Sequence, residues 1–230
     1  MKLHRFYVGG LNLDEGIQLK DARLHHQITR VLRYRVDQQL ALFNSDEQER
    51  LYKILEMSKE SIHLKFIADV EPKRPSRTVY LCFSGLKKDK NDWVLQKATE
   101  LGVRHFVPLI SDRTEKTGFD VERAEKIAME AAEQCGRVDI PRIREPVAVE
   151  TIIDELSGKV DIYVADERNT DSHSKYDESD SVVLIGPEGG WSQREVNLFK
   201  AKGLRTISLG MFTLRAETAA VVASYKLLND

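Results

Sequence analysis

The strongest constraint on the fold is an alternation of strand-like and helix-like segments that begins at Thr78 and runs on to Asn229. "TVYLCFSG" (78–85) reads as a buried strand. "NDWVLQKATELG" (91–102) follows with helical periodicity, Asn91 or Asp92 as its cap and Gly102 at its end. "VRHFVPLI" (103–110) is the next strand. A helix from Asp120 carries Val121, Ala124, Ala128, Ala131 and Cys135 on one stripe and stops at Gly136. A shorter helix near 149–156 precedes the strand "KVDIYVAD" (159–166). Then come "SVVLIG" (181–186), a helix over 192–202 ended by Gly203, the strand "LRTISLG" (204–210) and a final helix, "LRAETAAVVASYKLLN" (214–229). Strands that alternate with helices predict an α/β domain whose mainly parallel sheet is covered on both faces.

Residues 1–77 have a different periodicity. "VDQQLALF" (36–43), "RLYKILEM" (50–57) and "SIHLKFIADV" (61–70) are strand-like and are separated by the turn-like "NSDEQ" and "SKE". One helix interrupts them, "ARLHHQITRVLR", with Asp21 as its N-cap and Leu24, Ile28, Val31 and Leu32 on one face. Arg23, His26, Arg30 and Arg33 occupy the opposite face, and four arginines but no acid stand between Asp21 and Asp37. A solvated helix face normally mixes both signs, so a single-sign stripe points to phosphate binding, with an ordinary solvated face as the alternative. Charge also divides the chain. Residues 1–77 hold 14 Lys/Arg and 11 Asp/Glu, a balance of +3, and the remaining 153 residues stand at −5. "EPKRPSR" (71–77) reads as a stiff basic connector. The predicted organisation is a β-rich domain over 1–72, a linker over 73–77 and the α/β domain over 78–230. The polar stretch "DERNTDSHSKYDESDS" (166–181) reads as a loop.

With 41% hydrophobic and 31% charged residues, the composition is that of a globular protein. No run approaches a membrane span, "MKLHRFYVGG" lacks the apolar core of a signal peptide, and a cytoplasmic chain is expected. Cys82 and Cys135 are expected to be reduced and buried as small apolar groups. The six histidines show no metal-ligand spacing, so no metal is expected.

In open α/β sheets, ligands bind outside the carboxyl ends of the strands. Three such ends are chemically suggestive: "VADER" (164–168), "GPEGG" (186–190) and "LGMFTLRAET" (209–218). The second leads at once into Ser192 and Glu195, spaced as a capping box. Glycines let a backbone approach a ligand closely, and a helix start offers free N–H donors. A plain strand-to-helix turn fits the same residues. The third loop places Arg215, Glu217 and Thr218 at or near a helix N-terminus, where an arginine opposes the helix dipole, so Arg215 has either a chemical role or a packing one. Neither loop contains a G-K-[ST] or a G-x-G-x-x-G pattern.

"GPEGGWSQRE" (186–195), "LGMFTLRAETA" (209–219), "LQKATELGV" (95–103), "EAAEQCGR" (130–137) and "HHQITRVLR" (25–33), taken in order, resemble the ribosomal RNA uridine N3-methyltransferases of the SPOUT superfamily. The resemblance covers nearly the whole chain. Cys135 stands where the family pattern has a serine, and "MFTLR" is one of several variants of its loop. The resemblance implies a C-terminal SPOUT domain with a parallel sheet and a trefoil knot, and a small N-terminal PUA-like β-barrel that holds RNA. It implies S-adenosyl-L-methionine as cofactor, held by Gly186, Glu188, Gly189, Gly190, Leu209, Gly210, Leu214, Arg215 and Thr218. N3 of one uridine in small-subunit ribosomal RNA would be the methyl acceptor, and the protein would be a homodimer. Arg215 would stabilise the developing uridine anion and Glu217 would be the second catalytic candidate, as base or as a support for Arg215. The RNA would lie along Arg23, His26, Arg30 and Arg33. Two other readings stay open: methylation of a different RNA, or an inactive RNA-binding assembly factor. The alanine-rich final helix is apolar on several sides, which predicts a partner chain against it or burial between the sheet and a neighbouring helix.

Overall fold

A computed structural model describes residues 3–86, 88–114, 118–166 and 179–229, and only the backbone of Lys88. The chain forms two compact units. The first comprises Met1–Arg74 and Ala132–Ile140, and the second Pro75–Ala131 and Pro141–Asp230. Most of the predicted loop 166–181 and the end of "VADER" lie outside the described residues.

The first unit is built on five strands, β1 (Arg5–Tyr7), β2 (Gly16–Leu19), β3 (Gln39–Phe43), β4 (Glu49–Met57) and β5 (Ile62–Val70), in the order β1-β3-β4-β5-β2. The β1–β3 pair is parallel and the others are antiparallel. Two register shifts between β4 and β5 let these long strands bend. Strands β1 and β2 are too short to announce themselves in the sequence and complete the two edges. Helix α1 (Ala22–His26) lies on this sheet, its start capped by the Asp21 carboxylate, which accepts from Leu24 N at 2.8 Å. Leu24 and Ile28 are buried against Leu40, Leu42, Tyr52 and Ile54. Val31, predicted on the same face, is instead 63% exposed. From Gln27 to Val31 the helix widens into a π-helical turn, which slips later residues around the axis and takes Val31 off the buried stripe.

The segment Ala132–Ile140 is a part of the first unit that spacing in the sequence does not suggest. It is tied in by polar contacts. Buried Glu133 accepts from Tyr7 N at 2.9 Å and the Gly136 Cα faces the Arg5 guanidinium, while within the segment itself Arg137 is ion-paired to Asp139 with both side chains buried. Cys135 is exposed rather than buried, because this last helical turn buries Glu133 and Gly136 and leaves the cysteine on the open side. Cys82 is fully buried, and desolvation pushes its thiol far up.

The second unit is the expected α/β sandwich. Its strands are β6 (Val79–Ser84), β7 (His105–Ile110), β8 (Arg142–Ile143), β9 (Val147–Ala148), β10 (Asp161–Ala165), β11 (Ser181–Ile185) and β12 (Arg205–Ile207). Their order is β12-β10-β11-β6-β7-β8, with β9 also beside β7, and every pairing is parallel. Helices α2 (Lys88–Leu101), α3 (Val121–Cys135), α4 (Val149–Leu156), α5 (Gln193–Ala201) and α6 (Ala216–Asn229) connect and follow them. Alternate residues of each strand serve opposite faces. Val79, Leu81, Phe83, Tyr163, Val183 and Ile185 pack with Val94 and Leu95 of α2 and with Ala220, Ala223 and Leu227 of α6. Cys82, Ile162, Val164, Val182 and Leu184 pack with Ile152 and Ile153 of α4 and with Val196 and Phe199 of α5.

Two local expectations change. Helix α2 starts at Lys88, so Asn91 and Asp92 lie inside it and are not caps. The Asn91 amide instead bonds both backbone groups of Leu86 at 3.0 Å and shapes the turn before the helix. Helix α6 buries Ala220, Ala223, Ser224 and Leu227 against α2, β6 and β11, so its own unit covers two of its sides and Tyr225 remains 53% exposed. Among the described residues, no helix is long and apolar enough to cross a membrane.

Candidate active site

The carboxyl ends of β10, β11 and β12 open into one cleft of about 740 Å³ within the second unit. Two loops form most of it. The first follows β11, where Gly190 N donates to Pro187 O at 2.8 Å and closes a turn with almost no side chains. Gly190 lies at φ +68°, in the left-handed region, and this accounts for a glycine there. The Gly186 requirement is different. A Cβ on it would stand 3.0 Å from the Trp191 indole, which packs edge-on against Phe199 and donates from Nε1 to Ala165 O at 3.2 Å. Gly189 has room, since its Cβ would meet Arg113 at an ordinary 3.6 Å.

The turn is followed at once by α5, as the capping-box spacing predicts. Ser192 Oγ accepts from Glu195 N at 3.1 Å, and Glu195 Oε2 accepts from Ser192 N at 2.8 Å. Buried Glu195 also accepts from Asp112 N at 3.0 Å. Asp112, just past β7, takes hydrogen bonds from both Arg194 and the Ser192 hydroxyl. Those donors, Arg194 before Ser192, hold its carboxyl down to about 2. The neighbouring Arg113 donates from Nη1 to Gly189 O at 2.7 Å. The glycine turn is therefore fastened from the β7 side as well as from its own helix.

The second loop joins β12 to α6. Leu209, Gly210, Phe212, Thr213, Leu214 and Arg215 line the cleft. Gly210 lies at φ +120°, a conformation that L side chains rarely adopt. Ala219 N donates to Arg215 O at 2.8 Å, so Arg215 stands at the N-terminal boundary of α6 with its side chain exposed in the cleft. Lys226 Nζ donates to Ser208 O at 3.0 Å and ties the start of this loop back to the same helix.

Most of the predicted residues meet here: Gly186, Glu188, Gly189, Gly190, Leu209, Gly210, Leu214 and Arg215 all line the cleft. Thr218 and Glu217 do not. Glu217 is largely buried, with Oε2 3.3 Å from Lys90 Nζ, and that lysine reaches Glu188 Oε1 at 2.5 Å. The bond to Glu188, then that to Glu217, raises the Lys90 ammonium above the usual lysine range. Lys90, Arg113, Trp191 and Phe212 are cleft residues that sequence reasoning had not assigned. Lys90 falls in a visible basic run, "KKDK", but nothing in the spacing connects it to Glu188, 98 positions away. The charged lining comprises Lys90, Arg113 and Arg215 against Asp166 and Glu188. Arg23, His26, Arg30 and Arg33 are exposed in the first unit, Arg33 beyond the helix at φ +55°.

A parallel α/β sheet with a glycine-walled cleft outside the carboxyl ends of three strands defines the class of α/β proteins that hold a ligand at that edge of the sheet. Comparison with known proteins narrows that class. Residues 72–227 match the family described as RNA methyltransferase domain, and residues 19–67 match RNA methyltransferase PUA domain. The chain belongs to this RNA methyltransferase family. It is similar to ribosomal RNA small subunit methyltransferase E of Rickettsia conorii, with 29% identity over all of this chain and 98% of that one. Among solved structures it resembles a putative methyltransferase of Legionella pneumophila in complex with SAM (27% identity, TM-score 0.83, 99% and 97% covered). It also shares the fold of ribosomal RNA small subunit methyltransferase E from Neisseria gonorrhoeae bound to S-adenosyl methionine (24% identity, TM-score 0.89, 97% and 95% covered).

Proposed function

We propose that the protein transfers a methyl group from S-adenosyl-L-methionine to N3 of a uridine in small-subunit ribosomal RNA. The observation that carries this reading is the meeting of the two glycine loops, 186–190 and 209–215, around one cleft with Arg215 at its edge. The cleft suits the cofactor. Bare backbone at Gly189, Gly190 and Gly210 offers peptide groups to the adenosine, and a ligand that carries both charges meets Asp166 and Glu188 on one hand and Lys90 and Arg113 on the other. When bound, S-adenosylmethionine supplies an electrophilic methyl group on a sulfonium centre, so alignment is the main task left to the protein. Gly186, Glu188, Gly189, Gly190, Leu209, Gly210 and Leu214 would hold the cofactor, with Thr218 following on α6.

The N3 proton of uridine must leave, to Glu217 or to water, and the negative charge that spreads over the ring is discharged when N3 bonds the methyl carbon and the methyl–sulfur bond breaks with its electron pair left on sulfur. Arg215 is placed to receive that charge. Glu217 acts through its ion pair with Lys90, or takes the proton itself. The first domain, 1–72, holds RNA through Arg23, His26, Arg30 and Arg33, and the second, from residue 78, carries the chemistry. A homodimer, as the superfamily resemblance implies, and a cytoplasmic site of ribosome assembly complete the proposal.

Mass spectrometry of small-subunit ribosomal RNA incubated with the protein and labelled S-adenosylmethionine tests this directly. The expected product is 3-methyluridine. Methylation only of another RNA, or none with bound cofactor, refutes the assignment. With the same RNA, replacing Arg23, Arg30 and Arg33 with Gln should weaken binding and flatten its salt dependence. The slope of log affinity against log salt should fall by about 0.7 for each phosphate of a single strand that is no longer neutralised. A wild-type slope would place the RNA elsewhere.

A further inference from the structure

Met211 and Phe212 are 84% and 75% exposed, the two most exposed of the large apolar side chains among the described residues. They stand on the loop from β12 to α6, and Phe212 lines the cleft three residues before Arg215. An aromatic ring left in water forgoes the gain of burial, so two adjacent apolar side chains at a cleft mouth call for an occupant. Three cationic side chains, Lys90, Arg113 and Arg215, outnumber the two acids Asp166 and Glu188 in that cleft, and a charged lining with an excess of cations favours an anionic chain with planar groups over a purely apolar partner. Methylation of a ring nitrogen on the pairing edge also requires the base to leave its stack, and a splayed base regains stacking on an aromatic side chain.

We infer that the Phe212 ring is the stacking platform for the target nucleobase, holding its edge toward the cleft beside Arg215. This rests on the RNA-methyltransferase reading above and adds a positioning residue to it. Stacking is tolerant of base identity, so Phe212 secures the base while the charge at Arg215 acts on it. The competing occupant is a second copy of the chain, which would cover Met211 and Phe212 in a dimer.

The test uses the full chain with small-subunit ribosomal RNA and labelled cofactor. Phe212→Ala should lower kcat/KM for RNA by about 5- to 150-fold, the factor equivalent to one base–aromatic stack. Cofactor affinity by calorimetry and the mass by light scattering should stay unchanged. Phe212→Tyr should restore activity, whereas Phe212→Leu, apolar but without a ring face, should not. Equal rescue by Leu, or a fall in mass with Phe212→Ala, would assign the patch to a second copy and overturn the inference. Wild-type kinetics in Phe212→Ala would overturn it as well while leaving the methyltransferase reading intact. A wild-type protein that binds cofactor but methylates no RNA would remove both.

Discussion

Arg215→Ala should bind S-adenosylmethionine with near wild-type affinity and lose about 10²–10³ in kcat at saturating RNA, the usual cost of removing one donor aimed at developing charge. The separation of the two effects follows from placement. Arg215 is exposed at the cleft and at the boundary of α6, where its backbone carbonyl, rather than its side chain, starts the helix. Truncation therefore leaves the helix start and the glycine loops in place. It also removes a positive charge from a helix N-terminus, where the dipole disfavours it, so stability should not fall. Calorimetry with the cofactor and single-turnover methyl transfer check the two halves. Turnover close to wild type would make Arg215 a binding or packing residue and leave the chemistry to Glu217 and Lys90.

Gly189→Val should fold normally and bind the cofactor about 100-fold more weakly, the effect of 2–3 kcal/mol of overpacking placed in the ligand's space. Folding is spared because the first added carbon meets only the flexible Arg113 side chain at 3.6 Å. Gly190 and Gly186 would not give so clean a result. Substitution at Gly190 strains a left-handed backbone, and at Gly186 it pushes into the Trp191 indole. Thermal unfolding together with calorimetric titration separates these cases. Unchanged affinity in folded Gly189→Val would show that the 186–190 turn is structural only.

How far the site could be read before the structure differs among its parts. The loops "GPEGG" and "LGMFTLR" sit at strand ends that periodicity alone locates, and the capping box at Ser192 and Glu195 follows from a spacing of three. Such features are local, since a strand end, a turn and a helix cap are set by residues within a few positions of one another. The Lys90–Glu188–Glu217 ion pairs and the Arg113 bond to Gly189 were not visible, because they join residues 76 to 127 positions apart. Thr218 shares a motif with Arg215, but the side of α6 that lines the cleft is the one bearing Ala216 and Ala219, a matter of helix rotation that the motif does not show.

The same division runs through the fold. Period-two and period-3.6 patterns determined the class, the succession of the longer strands and helices and a mainly parallel sheet with two covered faces, because burying an apolar stripe leaves few alternatives, but the short strands β1, β2, β8 and β9 carry too little pattern to be read. They could not determine that Ala132–Ile140 joins the first unit, since that choice rests on Glu133 meeting a backbone amide at Tyr7, 126 positions away. Nor could they show the π-helical turn that exposes Val31, or the exposed end of the α3 stripe at Cys135. Sequence pattern specifies which face of an element must be covered, whereas which distant group covers it is settled only when the whole chain has packed.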